Sequence, residues 1–104
     1  MIRVISGSAG GLKLHTLDSD NTKPTLDRVK EAAFSMLRDD IYGATVLDLF
    51  SGSGALGIEA LSRGAASAVF VDISRASIAV TEENLTTTGF RSMSKTVLAN
   101  SLEY

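Results

Sequence analysis

Cysteine is absent from the 104 residues. That excludes a disulfide scaffold, a thiolate metal site and a cysteine nucleophile. It also suits a reducing cytosol. Proline occurs once, as Pro24, and histidine once, as His15. The apolar runs are a few residues long, against the roughly 20 needed to span a bilayer. The start, Met1-Ile2-Arg3-Val4-Ile5-Ser6-Gly7, lacks the continuous apolar core of a signal peptide. A cytoplasmic protein is expected, with no membrane segment and no bound metal.

What is present fits a small globular domain or a piece of a larger one. Hydrophobic residues make up 44% and charged residues 21%, far from a disordered composition. The net charge of −2 hides an asymmetry. Residues 1–30 carry five basic and three acidic side chains, and the remainder carries five and nine. A basic arm on an acidic body can set a nucleic acid against the arm, or it can be ordinary scatter of surface charge.

Ile2 to Ile5 and Leu12 to Leu17 alternate in polarity around Ser6-Gly7-Ser8-Ala9-Gly10-Gly11. This predicts a β-hairpin. Asp18 to Lys23 reads as loop. Pro24-Thr25 starts a helix, with Val29, Ala33, Met36 and Leu37 on one face and an end near Arg38 to Asp40. Ile41 to Ala44 is the turn out.

An α/β pattern follows. Thr45 to Phe50 reads as a strand covered on both faces. Ser51-Gly52-Ser53-Gly54 is a tight turn, and Ala55 to Arg63 a helix stopped at Gly64. Ala68 to Asp72 is a second strand. Ser74 to Thr88 is a second helix, capped by Ser74 and stopped at Gly89. Lys95 to Asn100 is a third strand. This order implies parallel strands with right-handed crossovers, a truncated doubly wound, Rossmann-like sheet.

Gly52, Gly54 and Gly57 satisfy G-x-G-x-x-G between a strand and a helix. Glycine permits a positive φ and lets backbone N–H groups approach a ligand, and Gly57 allows close helix–strand packing. The same glycines can also serve only to make a tight turn. Asp72 ends the next strand, 20 residues after Gly52, where a carboxylate accepts from ribose hydroxyls or caps the following helix. Asp48 precedes the loop. It would repel a dinucleotide pyrophosphate and attract the ammonium and sulfonium of S-adenosylmethionine. It can equally bind loop N–H groups. A nicotinamide-dependent oxidoreductase is disfavoured on this ground.

Other chemistry is sparse. His15 reads as a surface residue. No Walker lysine follows the glycine loop, and Ser53 lacks the glycine two places earlier that a nucleophile elbow needs. Glu82-Glu83 reads as a solvated helix face.

Three blocks resemble the RsmD family of bacterial 16S rRNA guanine-N2 methyltransferases. They are Arg3 to Gly7, Lys23 to Phe34, and Val46-Leu47-Asp48-Leu49-Phe50-Ser51-Gly52-Ser53-Gly54-Ala55-Leu56-Gly57 continuing to Ala65. The resemblance implies the class I methyltransferase fold, S-adenosylmethionine as cofactor, and 16S rRNA or a small-subunit assembly particle as partner. Asp48, Gly52, Ser53 and Gly54 match the family's cofactor loop, and Asp72 matches its ribose acid. Thr25 to Phe34 matches a motif beside the cofactor's amino-acid end. Asn100-Ser101 stands where the family has Asp-Ala near the adenine, and Lys23 stands where arginine is usual. The family's catalytic motif, Asn or Asp followed by Pro-Pro-Tyr or Pro-Pro-Phe, has no counterpart, because Pro24 is the sole proline. Residues 1–23 are therefore expected to be a hairpin arm, and 24–104 the cofactor half of a methyltransferase with no catalytic residue of its own. A non-catalytic RNA- or protein-binding module on the same fold is the alternative.

Overall fold

The computed structural model describes residues 2–16, 34–35, 38–49 and 52–100. The predicted helix start at Pro24-Thr25, the residues predicted on one face, Val29, Ala33, Met36 and Leu37, the predicted loop at 18–23, and Phe50, Ser51 and Ser101 lie outside the described residues.

The predicted hairpin is present and short. Strands β1 (Ile2–Arg3) and β2 (Lys13–Leu14) pair antiparallel, Ile2 opposite Leu14 and Arg3 opposite Lys13. Val4 and Leu14 are buried. Phe34 and Ser35 are helical, and α1 (Arg38–Ile41) ends in a turn at Gly43 with φ 78°.

The α/β part follows as β3 (Thr45–Asp48), α2 (Ala55–Ser62), β4 (Ser67–Asp72), α3 (Arg75–Thr88) and β5 (Ser94–Leu98). A 3-10 turn, Arg91–Met93, leads into β5. The sheet order is β3-β4-β5, all parallel. β4 is central and carries the core residues Ala68 and Phe70. The predicted caps of α3 hold. The Ser74 hydroxyl accepts from Ser77 N–H at 3.2 Å, and Gly89 closes the helix at φ 81°.

Both crossover helices lie on one face of the sheet. Gly57 of α2 sits against the Phe70 ring. Glu82 of α3 accepts from the hydroxyl of Thr96, the register partner of Phe70. Parallel strands in sequential order with same-handed crossovers must place their helices on the same side. This corrects the reading of β3 as covered on both faces, since Leu47 is 53% exposed. It also corrects the reading of Glu82, which is half buried and binds β5.

Candidate functional site

In parallel α/β sheets, ligands bind beyond the carboxyl ends of the strands. Here that edge holds the end of β3 at Asp48, the end of β4 at Asp72 and the residues after β5. β3 ends two residues earlier than the sequence predicts, so Asp48 closes the strand and Leu49 begins the turn.

The loop from β3 to α2 needs its glycines for stated reasons. Gly52 has φ 54° and Gly54 φ 83°, both in the left-handed region. Among the described residues, a β-carbon on Gly52 would meet nothing within 4 Å. Gly54 is the N-cap of α2 and offers no side chain to the first-turn N–H groups. Asp48 supplies one instead. Its Oδ2 accepts from Gly57 N–H at 3.3 Å, placing a carboxylate at the positive end of α2. At Gly57 an added β-carbon would lie 2.3 Å from Phe70 Cε2, which is the close packing the spacing implied.

Asp72 joins the loop to the second strand. Its Oδ2 accepts from Gly52 N–H at 3.0 Å, and its Oδ1 from Ser74 N–H at 2.8 Å. The acid therefore orders the start of α3 and also reaches the glycine loop across 20 residues of sequence. Each oxygen takes one N–H, and an ionised carboxylate has about four acceptor positions, so capacity for hydroxyl donors remains. Leu98 pairs in register with Asp72, and Ala99 N–H donates to the Asp72 carbonyl at 3.0 Å. Asn100 thus follows β5 on the same edge.

Two side chains that sequence reasoning passed over hold the loop from behind. The Thr81 hydroxyl donates to the Gly52 carbonyl at 2.9 Å, and Asn84 Nδ2 donates to the Ser53 carbonyl at 2.8 Å. The available signal was polar residues at 77, 81 and 84, in helical register with buried Leu85. Glu59 is the third omission. It is wholly buried in α2 and accepts from Ile5 N–H at 2.8 Å, Ser6 N–H at 3.0 Å and Arg63 Nε at 2.8 Å. Together with Ser62, it seats the hairpin on α2. His15 keeps a surface side chain, its Nε2 3.1 Å from the Glu83 carboxylate.

Among the described residues no group of three or more His, Cys, Asp and Glu side chains is placed to hold a metal. Nor is any helix there long and apolar enough to cross a membrane.

A family model described as "Conserved hypothetical protein 95" matches residues 2–104. Ribosomal RNA small subunit methyltransferase D of Escherichia coli K12 is 51% identical over 75 residues, covering 72% of this chain and 38% of that protein. The Haemophilus influenzae protein of the same name is 42% identical over 86 residues, covering 83% and 45%. A solved Escherichia coli structure of yhhF, described as a provisionally assigned methyltransferase, superposes with a TM-score of 0.87. It is 41% identical, with 98% of this chain and 54% of that chain covered. The chain spans less than half the length of these curated relatives.

Proposed function

The chain belongs to the Conserved hypothetical protein 95 family, the RsmD family, and on that premise we propose that residues 24–104 are the S-adenosylmethionine-binding half of a cytoplasmic ribosomal RNA methyltransferase, with residues 1–23 as an arm beside it. The proposed substrate is a guanine N2 of 16S rRNA, free or in a small-subunit assembly particle. The observation that carries this reading is the bond from Gly52 N–H to Asp72, which sets the glycine loop and the strand-end acid at one edge of the sheet. Asp48 stands on the same edge.

The donor set fits the cofactor's chemistry. Asp72 has acceptor capacity for a ribose diol. Gly52 bares the backbone so that a ligand can approach, Gly54 fits the turn closely against Thr81 and Ile58, and Ser53 lies between them. Asp48 supplies negative charge for an ammonium and a sulfonium. Asn100 and Ser101, just past β5, are assigned to the adenine, where the Asn100 side-chain oxygen can accept from an exocyclic amine. When bound, the cofactor supplies an electrophilic methyl group on a sulfonium sulfur. The residues of this chain orient it. They do not orient the acceptor, whose N2 lone pair is delocalised into the ring and needs precise placement. That task falls to the proline-containing motif that this sequence lacks.

Calorimetric titration with S-adenosylhomocysteine, with reduced nicotinamide dinucleotide as control, tests the reading. Saturable binding of the first alone is expected, weakened about tenfold or more in Asp72→Ala. Binding of the dinucleotide instead would replace the reading with an oxidoreductase, and methyl transfer to small-subunit RNA by this chain alone would refute the division of labour.

One observation favours a second reading. The hairpin register sets exposed Arg3 opposite exposed Lys13. If the arm is instead an RNA-binding module in its own right, RNA binding survives Asp48→Ala combined with Gly54→Val and falls steeply with salt.

A further inference from the structure

Thr81 and Asn84 are wholly buried on the inward side of α3. A buried amide is costly unless its hydrogen bonds are made. Asn84 makes three. Its Oδ1 accepts from His15 N–H at 2.7 Å. Its Nδ2 donates to the His15 carbonyl at 2.9 Å and to the Ser53 carbonyl at 2.8 Å. The orientation is set by chemistry, because two carbonyls require donors and the N–H requires an acceptor. Both Nδ2 protons are engaged, one on each side of a bridge. One planar group therefore ties the end of the hairpin arm to the glycine loop.

One turn earlier, Thr81 holds the neighbouring loop carbonyl, that of Gly52. Two consecutive loop carbonyls are thus fixed from α3, and the hold at Ser53 extends through the same side chain to the arm. The contact of His15 Nε2 with the Glu83 carboxylate adds little, since these side chains are 47% and 57% exposed.

We propose that Asn84 is a positioning residue that couples the N-terminal arm to the glycine loop. A rigid amide cannot turn to follow Ser53 without misaligning its bonds to His15, and hydrogen bonds weaken steeply off line. A ligand that fixes the loop therefore steadies the arm at His15. By linkage, an arm held by its own partner tightens binding at the loop by the same factor. This consequence rests on the cofactor reading above, whereas the coupling itself does not.

Residue-resolved amide hydrogen exchange on the full chain tests it. Thr81→Val releases the Gly52 carbonyl. The His15 amide should then exchange about fivefold faster, the loss of roughly one hydrogen bond. In an Asn84→Ala background the same change should add nothing at His15. The amides of Phe90 and Ala99, bonded to Leu85 and Asp72 carbonyls outside the arm, serve as references for opening elsewhere (Phe90 alone when Asp72 is changed), and the response at His15 must exceed theirs. Should Thr81→Val unfold the chain, Asp72→Asn loosens the loop through its bond to Gly52 N–H and carries the same expectation. An unchanged His15, or an equal response with and without Asn84, overturns the coupling. Saturating S-adenosylhomocysteine should slow His15 exchange in the wild type and not in Asn84→Ala. Binding without slowing overturns the coupling; no calorimetric binding overturns the cofactor reading, while the mutant cycle still decides the coupling.

Discussion

Gly7→Ala should be among the most damaging single-methyl additions in this chain. Gly7 has φ 86°, in the left-handed region, which costs a residue with a β-carbon about 1–2 kcal/mol. Its surroundings are worse than its φ. The new carbon would lie 1.8 Å from the Ser62 carbonyl oxygen and 2.8 Å from Arg63 N, both backbone atoms at the end of α2. Backbone there cannot swing aside, so the hairpin tip must lift. Lifting breaks the bonds from Ser8 N–H to the Ser62 carbonyl, from Ala9 N–H to Ser62 Oγ, and from Ser62 Oγ to the Ser6 carbonyl. At about 1 kcal/mol net each, with the backbone strain, the loss is about 4 kcal/mol. A domain has about 5–15 kcal/mol in all. Urea denaturation followed by circular dichroism measures it. Gly89→Ala is the reference, because Gly89 has φ 81° and open space around an added carbon, so it isolates strain at about 1–2 kcal/mol. If Gly7→Ala costs no more than Gly89→Ala, the seating of the tip on α2 is refuted.

Further variants report on other contacts. Gly57→Ala gains about 1 kcal/mol of helix propensity but forces the Phe70 ring to move at about 1–3 kcal/mol, so a net loss near 1 kcal/mol is expected in denaturation, relieved when Phe70→Leu is added. Glu59→Gln should lose about 3 kcal/mol and speed exchange of the Ile5 and Ser6 amides, because a buried acceptor becomes partly a donor and Arg63 loses its charge partner. Ser74→Ala removes the α3 cap and should cost about 1 kcal/mol in thermal or urea melts.

The elements that could be read from sequence are those set by local chemistry. Ser74 and Gly89 mark α3 because a hydroxyl at one end and a left-handed residue at the other are needed within one turn. The spacing of Gly52, Gly54 and Gly57 gave the loop and its packing for the same reason. Glu59 and Asn84 were not legible in that way. Their partners in the arm lie 54 and 69 residues away, and no local rule points to those; the i,i+4 spacing of Glu59 and Arg63 was the one local sign. What could be seen was a polar residue where the helical stripe calls for an apolar one. Leu47 was misjudged because an apolar strand looks the same whichever face its helices cover. Only the sheet order and the side on which the helices pack decide that. Asp72 proved to satisfy two N–H groups of the chain while retaining acceptor capacity, so its structural and ligand-binding readings are compatible.

Apart from Gly7 and the buried Val4, Ala9 and Leu14, the seat of the hairpin does not read side chains. Ile5, Ser6, Ser8, Ala9 and His15 are each gripped through main-chain N–H groups, by Glu59, Ser62 or Asn84. At the exposed positions Ser6, Ser8 and His15 substitution leaves the grip intact, with proline the one residue that removes the donor, whereas Ala9 is itself packed in the core. The outward chemistry of the arm can therefore be rewritten, by evolution or by engineering, while its docking geometry stays fixed. In this sense the arm behaves as an interchangeable bit held in a standard socket.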